Sequence, residues 1–363
     1  MANVILAAGG TGGHIFPALA VAEVLQQSGH KVVLLTDKRG APMVDGKITY
    51  DVLASASPFR KGIIAKLSGL MQLEWGFFQA LAKMIRQRPA AVIGFGGYPS
   101  LAPMVAGKLL GARCILHEQN AVMGRANRLL ARLAHQVALS WQATKGLPKE
   151  CRATHTGMPV RSAFSEVPAY HAKNDQPFHI VIIGGSLGAK IFADILPEAI
   201  ALLPEDMRHQ CRITQQARKE QISELTKAYD ALGIPAIIAP FFDDIPALFA
   251  DADIIISRAG ASSVAEIAAA GRASLLVPYP FALDDHQTGN AAILDAAQAS
   301  ILCPESDITA ASLASHIQEL FSDSQKRGKM ASQGRALASG KAAAMIADLT
   351  GLSSMTIQQG ARS

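Results

Sequence analysis

Along this chain, apolar residues come in short unbroken runs, and the segments between them place apolar positions at helical spacing. Runs without inside–outside alternation are expected to be buried on both faces, as in parallel sheets covered by helices. Residues 4–8, 31–36, 91–95, 113–117 and 136–139 are read as strands of a first domain. Residues 179–183, 211–214, 236–239, 253–257 and 274–277 are read as strands of a second. Between the two sets, residues 158–178 have weak periodicity and contain Pro159 and Pro168, the mark of a linker. The expected plan is an α/β chain with domains at 1–160 and 179–340, a linker at 161–178, and a helix and tail at 341–363 that packs back on the first domain. Residues 309–350 are Ala-rich and read as helical.

Both halves open alike. NVILAAGGTGGHIFPALAVAEVL and HIVIIGGSLGAKIFADILPEAI each run a buried strand into a Gly-rich turn that starts a helix, which reads as a loose duplication of one nucleotide-binding design. Glycine at such a corner lets the backbone approach a ligand, and the unbonded N–H groups of the helix start favour an anion, most naturally phosphate. Three corners of this kind stand at 9–14, 94–98 and 184–189. The dinucleotide fingerprint GxGxxG fails at the first, where Ile15 takes the place of the third glycine. Asp37 lies somewhat too far along for the ribose carboxylate of that fingerprint, but its position at a strand end leaves the role open. The GxxxxGK[ST] pattern is absent.

Composition narrows the choices. With 363 residues, 50% of them hydrophobic, the chain can build two cores, so disorder is excluded. Its four cysteines, Cys114, Cys151, Cys211 and Cys303, are scattered, which suggests a reducing compartment and neither a disulfide framework nor a zinc site. Residues 2–8 run into Gly9 with no basic leader or cleavage site, so no signal peptide is expected, and no stretch reaches the roughly 18 apolar residues of a membrane span. The net charge of +5 is unevenly spread: residues 1–160 hold 18 basic against 7 acidic side chains, the remainder 16 against 22. The first half should therefore seek an anionic partner. No nucleic-acid-binding pattern appears, which leaves an anionic lipid surface or a phosphorylated substrate. In segment 60–88, Ile64, Leu67, Met71, Trp75, Phe78, Leu81 and Ile85 recur at helical spacing among Arg60, Lys61, Lys66, Lys83, Arg86 and Arg88, with Glu74 opposing. Such a helix seats on anionic headgroups, or else simply covers the sheet.

Candidate chemistry gathers at strand ends. Arg258 to Glu266 follows a strand and opens a helix, so Ala261, Ser262, Ser263, Val264 and Ala265 can present hydroxyls and N–H groups to a diphosphate, with Arg258 offsetting charge. The plainer reading makes Ser263 and Glu266 a capping box. Gln287 and Asn290, after the apolar run LLVPYPFA, offer the paired donors and acceptors that sugar hydroxyls need. Asp251-Ala252-Asp253 spells a DxD metal motif, but it precedes its strand, at the wrong end of the sheet for ligands. Phe242 alone reads as a core residue and His14 as a helix-start histidine.

GGTGGHIFPALAVA, GFGGYPS, HEQNAVMGRANR, GMPVR, GGSLGA, SRAGASSVAEIAAAG and DDHQTGNA occur in order across about residues 3–295. Together they resemble the MurG family, transferases of N-acetylglucosamine from UDP-N-acetylglucosamine to undecaprenyl-pyrophosphoryl-muramyl-pentapeptide. The resemblance implies a GT-B fold, two facing Rossmann-like domains with mostly parallel sheets and a cleft between them, the donor held mainly by the second and the acceptor by the first. It implies an inverting transfer without metal or cofactor that turns lipid I into lipid II in peptidoglycan synthesis. The setting it implies is the cytoplasmic face of the bacterial inner membrane, peripherally bound, near other cell-wall synthesis proteins. Inversion needs a base for the attacking hydroxyl, and His14 is the candidate unless it mainly binds the acceptor diphosphate, with Glu118 a second candidate. Carried over by motif, it assigns the donor to Thr11, Gly12, Gly13, Asn120, Arg161, Ser186, Phe242, Arg258, residues 261–265, Glu266 on the ribose, Gln287 and Asn290. The acceptor falls to Gly10, Gly13, His14, Gly96, Gly97, Tyr98 and Asn120. His286 departs from the glutamine often found at that position. Competing readings are another UDP-sugar enzyme of this architecture, either a lipid glycosyltransferase or an epimerase, and a UDP-sugar-binding membrane scaffold without turnover.

Overall fold

The computed structural model describes residues 1–56, 63–172, 176–185 and 190–352, apart from the side chains of 63–67. The chain divides into two compact units: Met1–Arg161 together with the stretch from Ser339 onward, and Ser162–Ala338. In unit 1, strands β1 (Asn3–Ala7), β2 (Lys31–Thr36), β3 (Tyr50–Val52), β4 (Ala91–Gly94), β5 (Arg113–Glu118), β6 (Gln136–Leu139) and β7 (Ala153–His155) form one sheet in the order β3-β2-β1-β4-β5-β6-β7. In unit 2, β8 (Phe178–Ile183), β9 (Cys211–Gln216), β10 (Ala236–Ala239), β11 (Ile254–Ser257), β12 (Ala273–Leu276) and β13 (Ile301–Leu302) lie in the order β10-β9-β8-β11-β12-β13. Every pairing is parallel. Counted from its own first strand, each unit follows the same doubly wound order, with a switch point between its first and fourth strands.

The unbroken apolar runs have a simple cause. In β1, Val4 and Leu6 enter one core with the Gly12–Gln27 helix, while Ile5 enters the opposite core with the Ile63–Gln87 and Leu101–Leu109 helices. Both faces are covered, so both registers must be apolar; burying each such side chain contributes about 1.5–3 kcal/mol.

Several segments differ from expectation. The short edge strands β3, β7 and β13 lack an apolar run because two or three residues at a sheet edge need little of one. Part of the 161–178 stretch, read as a linker, is laid on unit 2. Phe164 is buried, and the Tyr170 hydroxyl donates to Asp253 Oδ1 (2.9 Å) and accepts from Arg327 Nε (2.6 Å). Arg272 and Arg335 donate to the carbonyl of Pro168. A segment held by arginine-to-backbone bonds shows no hydrophobic period. The Ala-rich region is three helices, Ala310–Ser322, Ser324–Leu337 and Ala342–Asp348, divided where Asp323 accepts from Lys326 N at 2.7 Å and starts a new helix. The last of these buries Ile346 in the core of unit 1, and Arg113 Nε donates to Leu349 O at 2.7 Å.

Candidate functional site

In unit 1 the two glycine corners leave the carboxyl ends of β1 and β4, the strands that flank the switch point. Gly10, Gly96 and Gly97 have φ of +85°, +86° and +73°, a region in which a side chain is strained. Ser100 Oγ lies 2.7 Å from Ala7 O and 2.8 Å from Gly96 O, sharing its proton between the two corners. Asp37 Oδ1 accepts from the N–H groups of Gly10 (3.0 Å) and Gly40 (2.9 Å), and its Oδ2 pairs with Arg39. That carboxylate is 4% exposed and braces the corner, so it is not held out for a ribose. Thr11 is the N-cap of the Gly12–Gln27 helix but makes no side-chain capping bond, and the first turn begins at Gly12 and Gly13.

His14 sits in that first turn. Its Nδ1 lies 3.0 Å from Gly9 O; a carbonyl only accepts, so Nδ1 carries the proton and the lone pair of the neutral ring falls on Nε2. A Cβ placed on Gly97 would stand 3.4 Å from the His14 ring, so the second corner abuts the first, with Tyr98 opening the next turn. Gly10, His14, Gly96 and Gly97 are thus brought together. The Arg161 guanidinium lies over the Phe16 ring at 4.8 Å.

Glu118, the second base candidate, is enclosed. It is 1% exposed; Oε1 accepts from Asn120 N (2.9 Å) and Nδ2 (3.2 Å), Oε2 from Gly124 N (3.1 Å) and Asn127 Nδ2 (2.7 Å). Burial pushes its pKa up, against the pull of these four bonds. With both oxygens occupied, it shapes the 118–124 loop and sets the Asn120 amide. His117 is also enclosed. Its Nδ1 accepts from Gln119 Nε2 (3.1 Å), Nε2 faces Ser140 Oγ (3.0 Å), and burial lowers its pKa to about 3, so it stays neutral.

In unit 2, Gly184 and Gly185 follow β8, and Arg258-Ala259-Gly260 follow β11, again at the switch point. Ser186 lies outside the described residues. The Ala261–Ala270 helix has Gly260 as N-cap with no side-chain capping bond. Ser263 is therefore inside the helix, which rules out the Ser263–Glu266 capping box and leaves the first turn, Ala261 to Ser263, without a side-chain cap. Val264 and Ala265 are buried behind it, and Glu266 stands partly exposed in the second turn.

Three side chains expected at the donor make bonds within the protein. Arg258 Nη1 donates to Val277 O (3.2 Å) and Pro278 O (3.1 Å) and pairs with Glu305 (2.5 Å), so its charge is offset within the protein and it braces the ends of β11 and β12. Asn290 is fully buried and donates to Ala259 O (3.1 Å), anchoring the 258–260 turn from behind. Gln287 Oε1 accepts from Tyr279 N (2.9 Å), and His286 Nδ1 lies 2.7 Å from Leu283 O. These side chains serve the loop after β12, which turns through Asp284 and Asp285 at φ +53° and +50° and exposes Tyr279 and Phe281. Asp251 and Asp253 stand before β11, engaged with Arg212 and with Tyr170 and His179 N respectively.

Sequence reasoning missed Gln216. At the end of β9 its Oε1 accepts from Gly184 N (3.1 Å) and its Nε2 donates to Pro240 O (3.2 Å), tying the glycine corner to the loop that carries the partly buried Phe242. Two glutamines, Gln215 and Gln216, at the end of the Cys211–Gln216 strand were the available signal. The helix Ile63–Gln87 turns Ala80, Leu81 and Met84 to the core, so Leu81 leaves the outward set. Met71, Trp75, Phe78 and Ile85 remain 57–62% exposed, and Lys83 pairs with Asp51 at 2.7 Å. Arg60, Lys61 and the side chains of Ile64, Lys66 and Leu67 lie outside the described residues. Among the described residues no helix is long and apolar enough to cross a membrane.

Known proteins match this arrangement over nearly its whole length. Residues 4–139 match the glycosyltransferase family 28 N-terminal domain and residues 179–348 the family 28 C-terminal domain. A UDP-N-acetylglucosamine–N-acetylmuramyl-(pentapeptide) pyrophosphoryl-undecaprenol N-acetylglucosamine transferase of Rhodospirillum centenum is 44% identical, covering 89% of this chain and 87% of the relative. One of the same name from Paramagnetospirillum magneticum is 42% identical over 95% of each. The crystal structure of Acinetobacter baumannii MurG superposes with a TM-score of 0.78 at 33% identity, covering 97% of this chain and 99% of that one. The fold class is GT-B, with two parallel-sheet Rossmann-like domains. With its glycine corners at both switch points and these relatives end to end, the chain belongs to the MurG family of glycosyltransferases.

Proposed function

We propose that this enzyme transfers N-acetylglucosamine from UDP-N-acetylglucosamine to an undecaprenyl-pyrophosphoryl-muramyl-pentapeptide, with unit 2 holding the donor and unit 1 the acceptor. In unit 2 the donor diphosphate lies on the uncapped turn at Ala261, Ser262 and Ser263, whose N–H groups stabilise the charge that grows as UDP leaves. Glu266 accepts from the ribose hydroxyls, and the backbone at Phe242 reads the uracil edge. Gly10, Gly13, Gly96, Gly97 and Tyr98 receive the acceptor, with Asn120 presented by Glu118.

The reaction is a single displacement. A muramyl hydroxyl oxygen bonds to the anomeric carbon, the bond from that carbon to the phosphate oxygen breaks with inversion, UDP departs with the electron pair, and the hydroxyl proton passes to His14 Nε2. The observation that carries the assignment is the His14 Nδ1 contact with Gly9 O, which fixes the ring so that a basic nitrogen stands at the corner. The exposed stripe Met71, Trp75, Phe78 and Ile85, on the half of the chain richer in basic residues, supports a peripheral seat on an anionic membrane, where a lipid-borne acceptor is met.

The decisive assay follows UDP release with and without the lipid-linked acceptor, in excess chelator. Acceptor-dependent release that survives chelation is expected. Donor turnover without acceptor would make the chain an epimerase-like enzyme, and binding without turnover would make it a scaffold.

A further inference from the structure

The loop that leaves β12 in unit 2 is strained at its tip and pinned at its base. Asp284 and Asp285 take consecutive left-handed conformations, φ +53° and +50°, which residues with side chains hold only where their surroundings impose it. Beyond the tip, His286 Nδ1 lies 2.7 Å from Leu283 O, and Thr288 Oγ1 donates to Asp285 Oδ1 at 2.6 Å. At the base the pin is Arg258. Its Nη1 donates to Val277 O (3.2 Å) and Pro278 O (3.1 Å), and its guanidinium stands over the Tyr279 ring at 5.4 Å and the Phe192 ring at 5.5 Å. One side chain thus joins the end of β11, the start of the loop and the Lys190–Ala201 helix.

Glu305, on the segment after β13, holds the guanidinium in turn. Its Oε2 is buried and stands 2.5 Å from Arg258 Nη1, and no other group among the described residues hydrogen-bonds to it, so the arginine charge is what offsets it. The loop then sets Gln287. Tyr279 N donates to Gln287 Oε1 at 2.9 Å, and a carboxamide whose oxygen is held this way has the direction of its Nε2 donors decided. From this chain of contacts we infer that Glu305 is a positioning residue for the sugar of the donor. Through Arg258 it fixes the 277–285 loop, and through Tyr279 N the loop aims Gln287 Nε2 at an oxygen of the N-acetylglucosamine. The inference rests on the proposed function and adds the device that presents the sugar-reading amide. The diphosphate and the uracil fall to other elements, the Ala261–Ala270 helix and the loop of Phe242, so a loosened 277–285 loop costs recognition of the sugar and spares that of UDP.

The test uses the full-length protein. Glu305→Gln removes the charge and keeps the size of the side chain. It is expected to lower kcat/KM for UDP-N-acetylglucosamine about ten-fold at saturating acceptor, with the loss in the donor KM, while calorimetry finds the affinity for UDP within about two-fold of the parent. Gln287→Met removes the amide and should show the same loss, and the double variant should be no worse than Gln287→Met alone, because Glu305 acts through that amide. Arg258→Lys, which replaces the fork with a single ammonium, should repeat the selective loss, so the comparison stands if one variant does not fold. An equal loss of affinity for UDP overturns the inference and makes the pair a general support of unit 2. Tighter binding of UDP by Glu305→Gln overturns it too, because the released guanidinium would then meet the diphosphate. So do losses that add in the double variant, or an unchanged donor KM in Glu305→Gln. Failure of the unmodified enzyme to bind UDP or to use the donor would instead overturn the proposed function.

Discussion

His14 and His117 carry the same imidazole and do opposite work. His14 is partly exposed at a helix start with one nitrogen fixed by Gly9 O. Replacing it with alanine should lower kcat by about 10²–10⁴-fold, the usual worth of a positioned base, while calorimetry finds the affinity for UDP unchanged. Unaltered turnover would remove it from the chemistry. His117 is held neutral by burial, with its pKa lowered to about 3 from 6.5. Below pH 6.5 the unfolded chain binds a proton that the folded chain refuses, so stability falls by about 1.4 kcal/mol per pH unit on the way down to pH 3. Both tryptophans, Trp75 and Trp141, lie in unit 1, so their fluorescence during denaturation follows that unit. His117→Gln should flatten the pH dependence; parallel slopes for variant and parent would show that the ring is not kept neutral. At Gln216, one amide spans two loops, and Gln216→Met should raise the donor KM several-fold, roughly the worth of two neutral hydrogen bonds, with the acceptor KM unmoved.

The Ile63–Gln87 helix shows how one element serves two solvents. Its inner face needs Gly76, where a Cβ would stand 2.0 Å from Ala54 O, so Gly76→Ala should destabilise unit 1 by about 1–3 kcal/mol in a denaturant titration. Trp75 and Phe78, on the outer face, are 62% and 60% exposed. Changing both to alanine should leave stability within about 0.5 kcal/mol and weaken sedimentation with anionic vesicles by roughly ten-fold or more. Retained vesicle binding would leave the stripe as surface without a membrane role. The Ala261–Ala270 helix works by omission in the proposed reading, since its glycine N-cap supplies no side-chain acceptor to the N–H groups of the first turn.

At the scale of the molecule, unit 1 is discontinuous. The Ala342–Asp348 helix is the last element of the described residues, and its Ile346 and Ala347 fill the core beside β1. Ending the chain after Ala338 should therefore lower the denaturation midpoint reported by tryptophan fluorescence, and UDP affinity, which the proposed function assigns to unit 2, should persist. Loss of both together would mean that the units do not stand independently.

The sequence alone determined the two parallel-sheet units and the three glycine corners, because strands buried on both faces must be apolar throughout and corners that meet an anion need residues without side chains. It also carried the order of motifs that marks the family. Only tertiary structure decided which polar residues are engaged within the protein. Glu118, Arg258 and Asn290 have the chemistry of a site, but each closes its hydrogen bonds or ion pair on a neighbouring loop. Gln216 and Ser100, unremarkable in sequence, were found to join loops 24 or more residues apart in the chain. A polar side chain is the same in either part; what distinguishes them is whether its partners come from the protein, and those partners are brought near only by folding.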